Sequence, residues 1–192
     1  MIAALGIVIA GSAAAQGISR PVATDAGDGR PFAIVDKRTA TLSVYSAEGQ
    51  LIGRTSALLG LTPGDAEIAG SRGKAPSALT TLERTTPAGR FEAQPGHNLH
   101  GERIVWIDYD ANLAIHRLRP APAHERRPQR LVSANPQDHR ITLGCVVVDP
   151  EFFERVVLST LGSGRGGLVY ILPERDPMVA AASGTTPHAA AP

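Results

Sequence analysis

The chain has 192 residues, of which 43% are apolar and 19% charged, a balance that excludes disorder over most of its length and suits one domain with a full core. Its 19 basic and 18 acidic residues leave a formal charge of +1, so bulk charge gives no reason to expect a nucleic-acid partner. A single cysteine excludes an intramolecular disulfide.

The N-terminus has the features of an export signal. An apolar run at residues 2–10 precedes a stretch of small residues, in which Ala13 and Ala15 fit the rule for signal peptidase cleavage. The run is shorter than the roughly 20 apolar residues that a membrane-spanning helix needs. We therefore expect a signal peptide over residues 1–15, a flexible lead-in over 16–30 and a periplasmic or secreted protein.

Short runs rich in β-branched and aromatic residues follow from residue 31 and predict strands. The first three runs are separated by turns, so they can form an antiparallel meander. Trp106 is expected to pack in the core between later strands. The predicted strands are residues 32–35, 41–45, 50–59, 89–93, 103–109, 113–116, 146–148 and 167–172.

One helix is predicted after the strand at 146–148. Asp149 is a suitable N-cap, and Pro150 suits the first helical position because it lacks a backbone donor. Apolar side chains then recur on one stripe, and Gly162 is placed to end the helix in the left-handed conformation. The helix is expected at about 150–161, packed behind the preceding strand.

Three stretches lack a periodic apolar pattern. Residues 61–86 contain several glycines and prolines, and a loop of this length is uncommon in a compact domain unless it is functional, so we interpret it as a substrate-side lid. Four prolines in 117–140 restrict regular structure to a fraction of that segment. Residues 173–192 are expected to form a disordered tail.

Cys145 is the candidate nucleophile. A thiol reacts as the thiolate, and a free cysteine is mostly protonated at neutral pH, so a base must help it. His116, at the end of an apolar strand upstream, is the best candidate for that base. Gly144 leaves room for a substrate carbonyl beside the sulfur.

The other histidines carry less information. His97 and His100 have an i, i+3 spacing, but they lie in a predicted loop with no further ligand pattern, so we expect no metal and no cofactor. His124 and His139 are expected to face solvent.

Four stretches of sequence together carry a resemblance to a known family: residues 31–45, Thr86-Pro87-Ala88-Gly89-Arg90-Phe91, Ile115-His116 and Thr142-Leu143-Gly144-Cys145. They resemble the catalytic domain of L,D-transpeptidases of the YkuD type, cysteine transpeptidases that modify peptidoglycan. The resemblance covers residues 31–172 and implies a mainly β, sandwich-like fold of mixed sheets with one helix after the catalytic strand.

The resemblance also implies roles for single residues. Cys145 would be the nucleophile, and His116 would donate and accept the proton. The backbone N–H groups around Gly144 and Cys145 would stabilise an oxyanion, while the backbone carbonyl of Arg117 would orient His116. The implied activity is that of an exported, envelope-associated cysteine acyltransferase. It would form a thioester with a peptidoglycan stem peptide and release D-alanine.

Three residues are candidates for substrate contact: Thr142, Arg140 and Val147. Val147 stands where the family commonly has Arg or Asn, and strand alternation puts it on the face of Cys145, so it is expected to border the pocket. The alternative is an ordinary core position, with Arg140 or Arg117 contacting the substrate. The hydroxyl of Thr142 is equally suited to holding the turn before the cysteine. Arg117 itself stands where Gly or Ser commonly follows the histidine.

Two other functions stay open on the sequence. A carboxypeptidase or amidase would use water as the acceptor, and product analysis would distinguish it. A catalytically silent cell-wall-binding module would not be acylated at Cys145 by a carbapenem-like donor. The expected partners are peptidoglycan stem peptides, with an anchored lipoprotein as a further candidate acceptor, and the protein is expected to be a monomer.

Overall fold

The computed structural model describes residues 28–164 and 166–174, so the expected signal peptide, nearly all of the lead-in and most of the predicted tail lie outside the described residues. Within these ranges, no helix is long and apolar enough to span a membrane. Nine strands of the described chain form one mixed sheet. They are β1 Phe32–Asp36, β2 Thr41–Tyr45, β3 Leu51–Gly60, β4 Gly89–His97, β5 Arg103–Asp108, β6 Leu113–Arg117, β7 Arg140–Thr142, β8 Val146–Val148 and β9 Gly167–Leu172.

The sheet closes on itself. Its order is β2-β1-β9-β4-β5-β6-β8-β3, a pairing of β2 with β3 completes the ring, and β7 adds to β3. The meander predicted for the first three strands is confirmed, since β1–β2 and β2–β3 are antiparallel. Three parallel pairs, β1–β9, β3–β7 and β6–β8, make the sheet mixed. The prediction of a mainly β fold is confirmed.

The main core lies inside this closed sheet. Alternate residues of the strands point inward, as the two-residue period of a strand requires, and their side chains are buried. The largest contributions come from β-branched and leucine side chains, which fit the pleated surface. The interior includes Val35, Leu42, Val44, Leu59, Val105, Ile115, Val146, Val148 and Val169.

Helical structure is short. Helix α1 is Arg127–Leu131, and helix α2 covers residues 150–160 in three successive turns, the middle one, Phe153–Val157, with π-type hydrogen bonding. The predicted cap is confirmed, because Asp149 Oδ1 accepts hydrogen bonds from the backbone N–H of Glu151 and Phe152 at 2.9 and 3.0 Å. Single 3₁₀ turns lie at Pro76–Ala78, Thr81–Glu83, Ala123–Glu125 and Pro136–His139.

The apolar stripe of α2 packs on the core as predicted, with Phe153, Val157 and Leu161 fully buried. The predicted left-handed role of Gly162 is wrong, since this glycine is not among the residues with positive φ. Its N–H still bonds to the carbonyl of Leu158 at 3.1 Å. A Cβ at this position would lie 2.6 Å from that carbonyl oxygen, so close approach is the reason for glycine here.

Two sequence predictions about burial are wrong. Trp106 is only half-buried, because its neighbours Val105 and Ile107 point into the core and alternation turns Trp106 outward, where its ring lies against the bare backbone of Gly96. His139 is 2% exposed, not solvent-facing. Its ring nitrogens lie 3.1 and 3.0 Å from the carbonyl oxygens of Ala57 and Ser133, so the ring lies between β3 and the segment that joins α1 to β7.

Candidate active site

The parallel pairing of β6 with β8 brings the two candidate catalytic residues together. In this register His116 lies beside Val147. Because alternate residues share a face, Cys145 lies on the same face as Val147 and His116. Neighbouring strands are about 4.8 Å apart. The histidine and the cysteine, far apart in sequence, are therefore near neighbours on one side of the sheet.

The thiol of Cys145 is partly buried and protonated at rest. Its Sγ donates a hydrogen bond to the backbone carbonyl of Asn112 at 3.4 Å. Burial raises the pKa of the thiol, against a smaller lowering by the backbone N–H groups of Ala114 and of Cys145 itself. A nucleophilic role for this thiol would therefore require a base.

The backbone of the next residue orients the ring of His116. Its Nδ1 lies 2.9 Å from the backbone carbonyl of Arg117, the contact that the resemblance implies. A carbonyl can only accept, so Nδ1 carries the ring hydrogen and Nε2 keeps a lone pair. Burial lowers the pKa of His116 to about 4, which leaves the imidazole neutral at pH 7. The side chain of Arg117 is held away by Glu102 at 2.8 Å.

The turn before the nucleophile is held by side-chain hydroxyls. The hydroxyl of Thr142 donates to the carbonyl of Cys145 at 2.7 Å and accepts from the N–H of Gly144 at 3.2 Å. The N–H of Gly144 therefore has a partner within the turn, and its part in stabilising an oxyanion stays a prediction. Thr142 is 3% exposed, so its hydroxyl holds the turn and is not presented to a substrate.

Two further predicted substrate contacts are also buried. Val147 is 1% exposed and packs with Leu58 and Leu131, so it is a core position and does not border the cleft. Arg140 is 7% exposed, pairs with Glu174 and donates to the backbone carbonyl of Lys37 at 3.3 Å. A buried charge needs such partners to offset the loss of water, so the guanidinium of Arg140 is used inside the protein and is not presented to a substrate.

Arg140 belongs to what we call the buried ion cluster: Lys37, Asp65, Arg140 and Glu174. The ammonium of Lys37, fully buried, donates to Gly64 O, Asp65 Oδ1 and Thr86 O at 2.5, 2.7 and 2.9 Å. Glu174 lies beyond the predicted end of the domain, yet its backbone N–H donates to Asp65 at 2.7 Å. The folded region therefore includes two residues that the sequence assigned to the tail.

A cleft opens beside Cys145, and much of its lining comes from residues 61–86. Arg72 anchors this segment through two hydrogen bonds to Asp108 on β5, at 3.0 and 2.9 Å. The side chain of Asn112 donates to the carbonyl of Lys74 at 3.3 Å. The segment is thus tied to the β5–β6 turn that also contacts the thiol. The lining residues are Glu67, Ser71, Pro76, Leu79, Glu83, Thr85, Pro87, Ala111, Asn112, Leu113, Leu143, Gly144 and Cys145.

Sequence reasoning missed several residues that support the site. Thr86 was noticed only as part of a motif, although its hydroxyl contacts Gly144 at 2.7 Å. Asn112 has a positive φ of 52°, which asparagine tolerates better than most residues, but nothing local pointed to its contact with the thiol. The lysine of the first turn, Lys37, was treated as an ordinary turn residue.

The histidine pair considered for metal binding lies apart from this cleft. His97 ends β4, where it pairs with Arg103, so it is on a strand and not in a loop. Within the described residues, no group of three or more His, Cys, Asp or Glu side chains is placed to hold a metal ion.

No protein-family model and no curated protein matches the sequence. Solved structures that are similar include an L,D-transpeptidase from Mycobacterium smegmatis, at 13% identity and a TM-score of 0.42, covering 74% of this chain and 58% of that one. Another is the L,D-transpeptidase from Xylanimonas cellulosilytica, with 15% sequence identity and a TM-score of 0.45. The match covers 74% of this chain and 60% of that one. A third is the catalytic domain of the E. faecium L,D-transpeptidase, with 15% sequence identity and a TM-score of 0.44. The match covers 75% of this chain and 98% of that one. The chain thus spans less than two thirds of the first two.

Proposed function

We propose that the chain is an exported cysteine acyltransferase that acts on peptidoglycan stem peptides and releases D-alanine. One observation carries this proposal: His116 and Cys145 lie on one face of two neighbouring parallel strands, with the sulfur at a cleft. The motif around each residue adds support, because both occur in the order and context that the resemblance implies.

The first half-reaction forms a thioester. As Sγ of Cys145 bonds to the carbonyl carbon at the L-centre of a diamino acid, its proton moves to Nε2 of His116. The negative charge on the carbonyl oxygen is stabilised by the N–H of Cys145, a kind of contact worth about 3–4 kcal/mol. The intermediate then collapses, the bond to D-alanine breaks, and the imidazolium gives its proton to the leaving amine.

The second half-reaction regenerates the thiol. An amine from a neighbouring stem attacks the thioester, His116 takes the proton from that amine, and the sulfur leaves and is reprotonated. A neutral histidine suits both halves, since each begins with proton removal. We also propose that residues 61–86 act as a substrate-side lid, because they line the cleft from one side.

Labelling at the sulfur tests the chemistry. A carbapenem or a tetrapeptide donor should add one acyl group to the protein, measured by intact mass, and Cys145→Ala should abolish the adduct while the fold is kept. His116→Ala should slow acylation by roughly two to four orders of magnitude. An unlabelled wild-type protein would instead indicate a silent binding module.

Product analysis identifies the acceptor. Cross-linked dimers of stem peptides, formed from the acyl-enzyme and a second stem, are the expected product. Tripeptide alone, with no cross-link at any acceptor concentration, would make the protein a carboxypeptidase. Transfer to the amine of an anchored lipoprotein would give a covalent protein–peptidoglycan product, which is visible as a mass ladder.

Export is tested separately. Cleavage after Ala15 should leave a mature chain beginning at Gln16, as determined by N-terminal sequencing of the protein recovered from the periplasm or medium. A mature chain that still begins at Met1 would contradict this part of the proposal.

A further inference from the structure

Thr86 links the strand β3 to the turn that carries the nucleophile. It is fully buried, and its hydroxyl donates to the carbonyl of Gly144 at 2.7 Å. The same hydroxyl accepts from the N–H of Gly60 at 2.8 Å. Because that N–H can only donate, the hydroxyl hydrogen is free for one acceptor, the carbonyl of Gly144.

The direction of this carbonyl fixes the direction of the next N–H. A trans peptide is planar, and its C=O and N–H point in opposite directions. With the carbonyl of Gly144 bound to Thr86, the N–H of Cys145 must point away from Thr86. Gly144 and Cys145 both line the cleft, so the orientation of the peptide between them determines which backbone group faces a bound acyl group.

The peptide needs such a restraint because glycine allows it to turn. Gly144 has a φ of +135°, which side chains rarely adopt, and a Cβ there would lie 3.0 Å from the carbonyl oxygen of Thr85. Glycine is thus required, and a glycine peptide can rotate at low cost. Rotation of the Gly144–Cys145 peptide would break the bond to Thr86 and reverse the direction of the N–H of Cys145.

Thr86 is itself rigidly placed. Its backbone carbonyl accepts from the ammonium of Lys37 at 2.9 Å, within the buried ion cluster. A Cβ at Gly60 would lie 2.7 Å from the backbone nitrogen of Thr86, so β3 and this residue are in backbone contact. The hydroxyl therefore cannot shift without moving β3 or the cluster.

We infer that Thr86 is a positioning residue, which holds the Gly144–Cys145 peptide so that the N–H of Cys145 faces the oxyanion formed on a bound acyl group. The inference shares one assumption with the proposed function, namely that Cys145 accepts an acyl group. What it adds is that a side chain 58 residues earlier in the chain controls the direction of this oxyanion donor.

Two reactions of the Cys145 thiol test the role of Thr86. Acylation by a carbapenem passes through an oxyanion, whereas alkylation by iodoacetamide is a direct displacement at carbon with no oxyanion. Thr86→Val removes the hydroxyl and keeps the shape. We expect it to slow acylation by roughly 10- to 100-fold, less than the roughly 100- to 1000-fold cost of losing an oxyanion donor, because the N–H remains but is no longer held in place. Alkylation should change less than about two-fold. Thr86→Ser should retain the acylation rate.

Ser43→Ala is the matched control. Ser43 is a buried hydroxyl on β2 that accepts one hydrogen bond, from Arg54 at 2.8 Å, away from the cleft. This variant loses a buried contact but should keep both rates. Equal slowing of acylation and alkylation in Thr86→Val would mean that Thr86 is merely structural and would overturn the inference, as would unchanged acylation.

A measurement on the wild-type protein covers the case in which Thr86→Val does not fold. A peptide aldehyde forms a tetrahedral hemithioacetal at Cys145, and the amide proton of Cys145 should then move downfield more than that of Gly144 in NMR spectra. An unmoved Cys145 amide would contradict the inference. If the wild-type thiol takes no acyl group at all, the proposed function fails first, which is a separate and recognisable result.

Discussion

The guanidinium of Arg72 holds the carboxylate of Asp108 through two hydrogen bonds, at 3.0 and 2.9 Å. A third, to Glu67 at 2.7 Å, lies within residues 61–86, so Arg72 joins this segment to β5. Arg72→Ala should raise the rate of proteolytic cleavage within 61–86 several-fold and raise the KM for a stem-peptide donor. The free energy of unfolding should change little, because exposed pairs contribute about 1 kcal/mol or less.

The control for this prediction is Arg103→Ala, which breaks another exposed ion pair, that of Arg103 with Glu154. It should leave protease sensitivity and KM at wild-type values. Equal cleavage rates in the two variants would show that the Arg72 contacts do not order the segment.

The lowered pKa of His116 predicts a pH dependence of stability. An unfolded histidine takes up its proton near pH 6.5, but folded His116 does so only near pH 4, so between these values the unfolded state binds the extra proton. The contribution of neutral His116 to the free energy of unfolding is therefore complete above pH 6.5. It is lost as the pH falls to 4, by up to about 3 kcal/mol. Urea unfolding of the wild type and His116→Gln, from pH 7 to 4, measures it.

In that series the wild type should lose its advantage over His116→Gln in the free energy of unfolding as the pH decreases. His100→Gln removes an exposed histidine and keeps His116, so it is the control and should follow the wild type across the series. A wild-type protein whose pH dependence matches that of His116→Gln would contradict the assigned neutral state.

The buried ion cluster predicts a large effect of one substitution. Lys37→Met removes a fully buried ammonium and leaves the carboxylate of Asp65 and the carbonyls of Gly64 and Thr86 without it. Breaking a buried pair in this way costs about 3 kcal/mol or more, to be measured by urea unfolding. Arg155→Met, in an exposed pair with Glu151, should show no measurable change. Similar stabilities of the two variants would show that the cluster contributes little.

Val147 gives a prediction that separates packing from recognition. Since it is 1% exposed beside Leu58, Val147→Asn buries an amide without a partner, at a cost of about 2–3 kcal/mol. Donor use, measured as kcat/KM, should not improve. Val132→Asn, at a valine that is 82% exposed, is the control and should be neutral. A gain in kcat/KM for Val147→Asn would return this position to the substrate site.

Much of the fold follows from local pattern. The strands showed their two-residue period, and Asp149 followed by Pro150 marked the start of α2 correctly. The types and order of His116 and Cys145 could be identified because each lies in a recognisable motif. These features depend on residues within a few positions of one another, which is the distance over which a sequence pattern is informative.

The supporting contacts could not be predicted, because their partners are distant in sequence. Arg140 bonds to the carbonyl of Lys37 across 103 residues, and no local pattern distinguishes it from a surface arginine. The occupied N–H of Gly144 depends on the side-chain rotamer of Thr142, and the burial of Val147 depends on α1 packing over β8. Strand alternation predicted correctly the face of the sheet on which Val147 lies, but it could not predict that α1 covers that face.

The last strand completes the closed sheet, and this has a consequence for how the protein folds. Strand β9 lies between β1 and β4 and pairs Phe32 with Leu168 in parallel register. Contacts this distant form late and slow folding, commonly to about milliseconds or seconds. Until residue 172 is available, β1 and β4 would each present unpaired backbone groups, and such edges invite pairing with other chains. A nascent or truncated chain that ends before β9 is thus the form most in need of a chaperone.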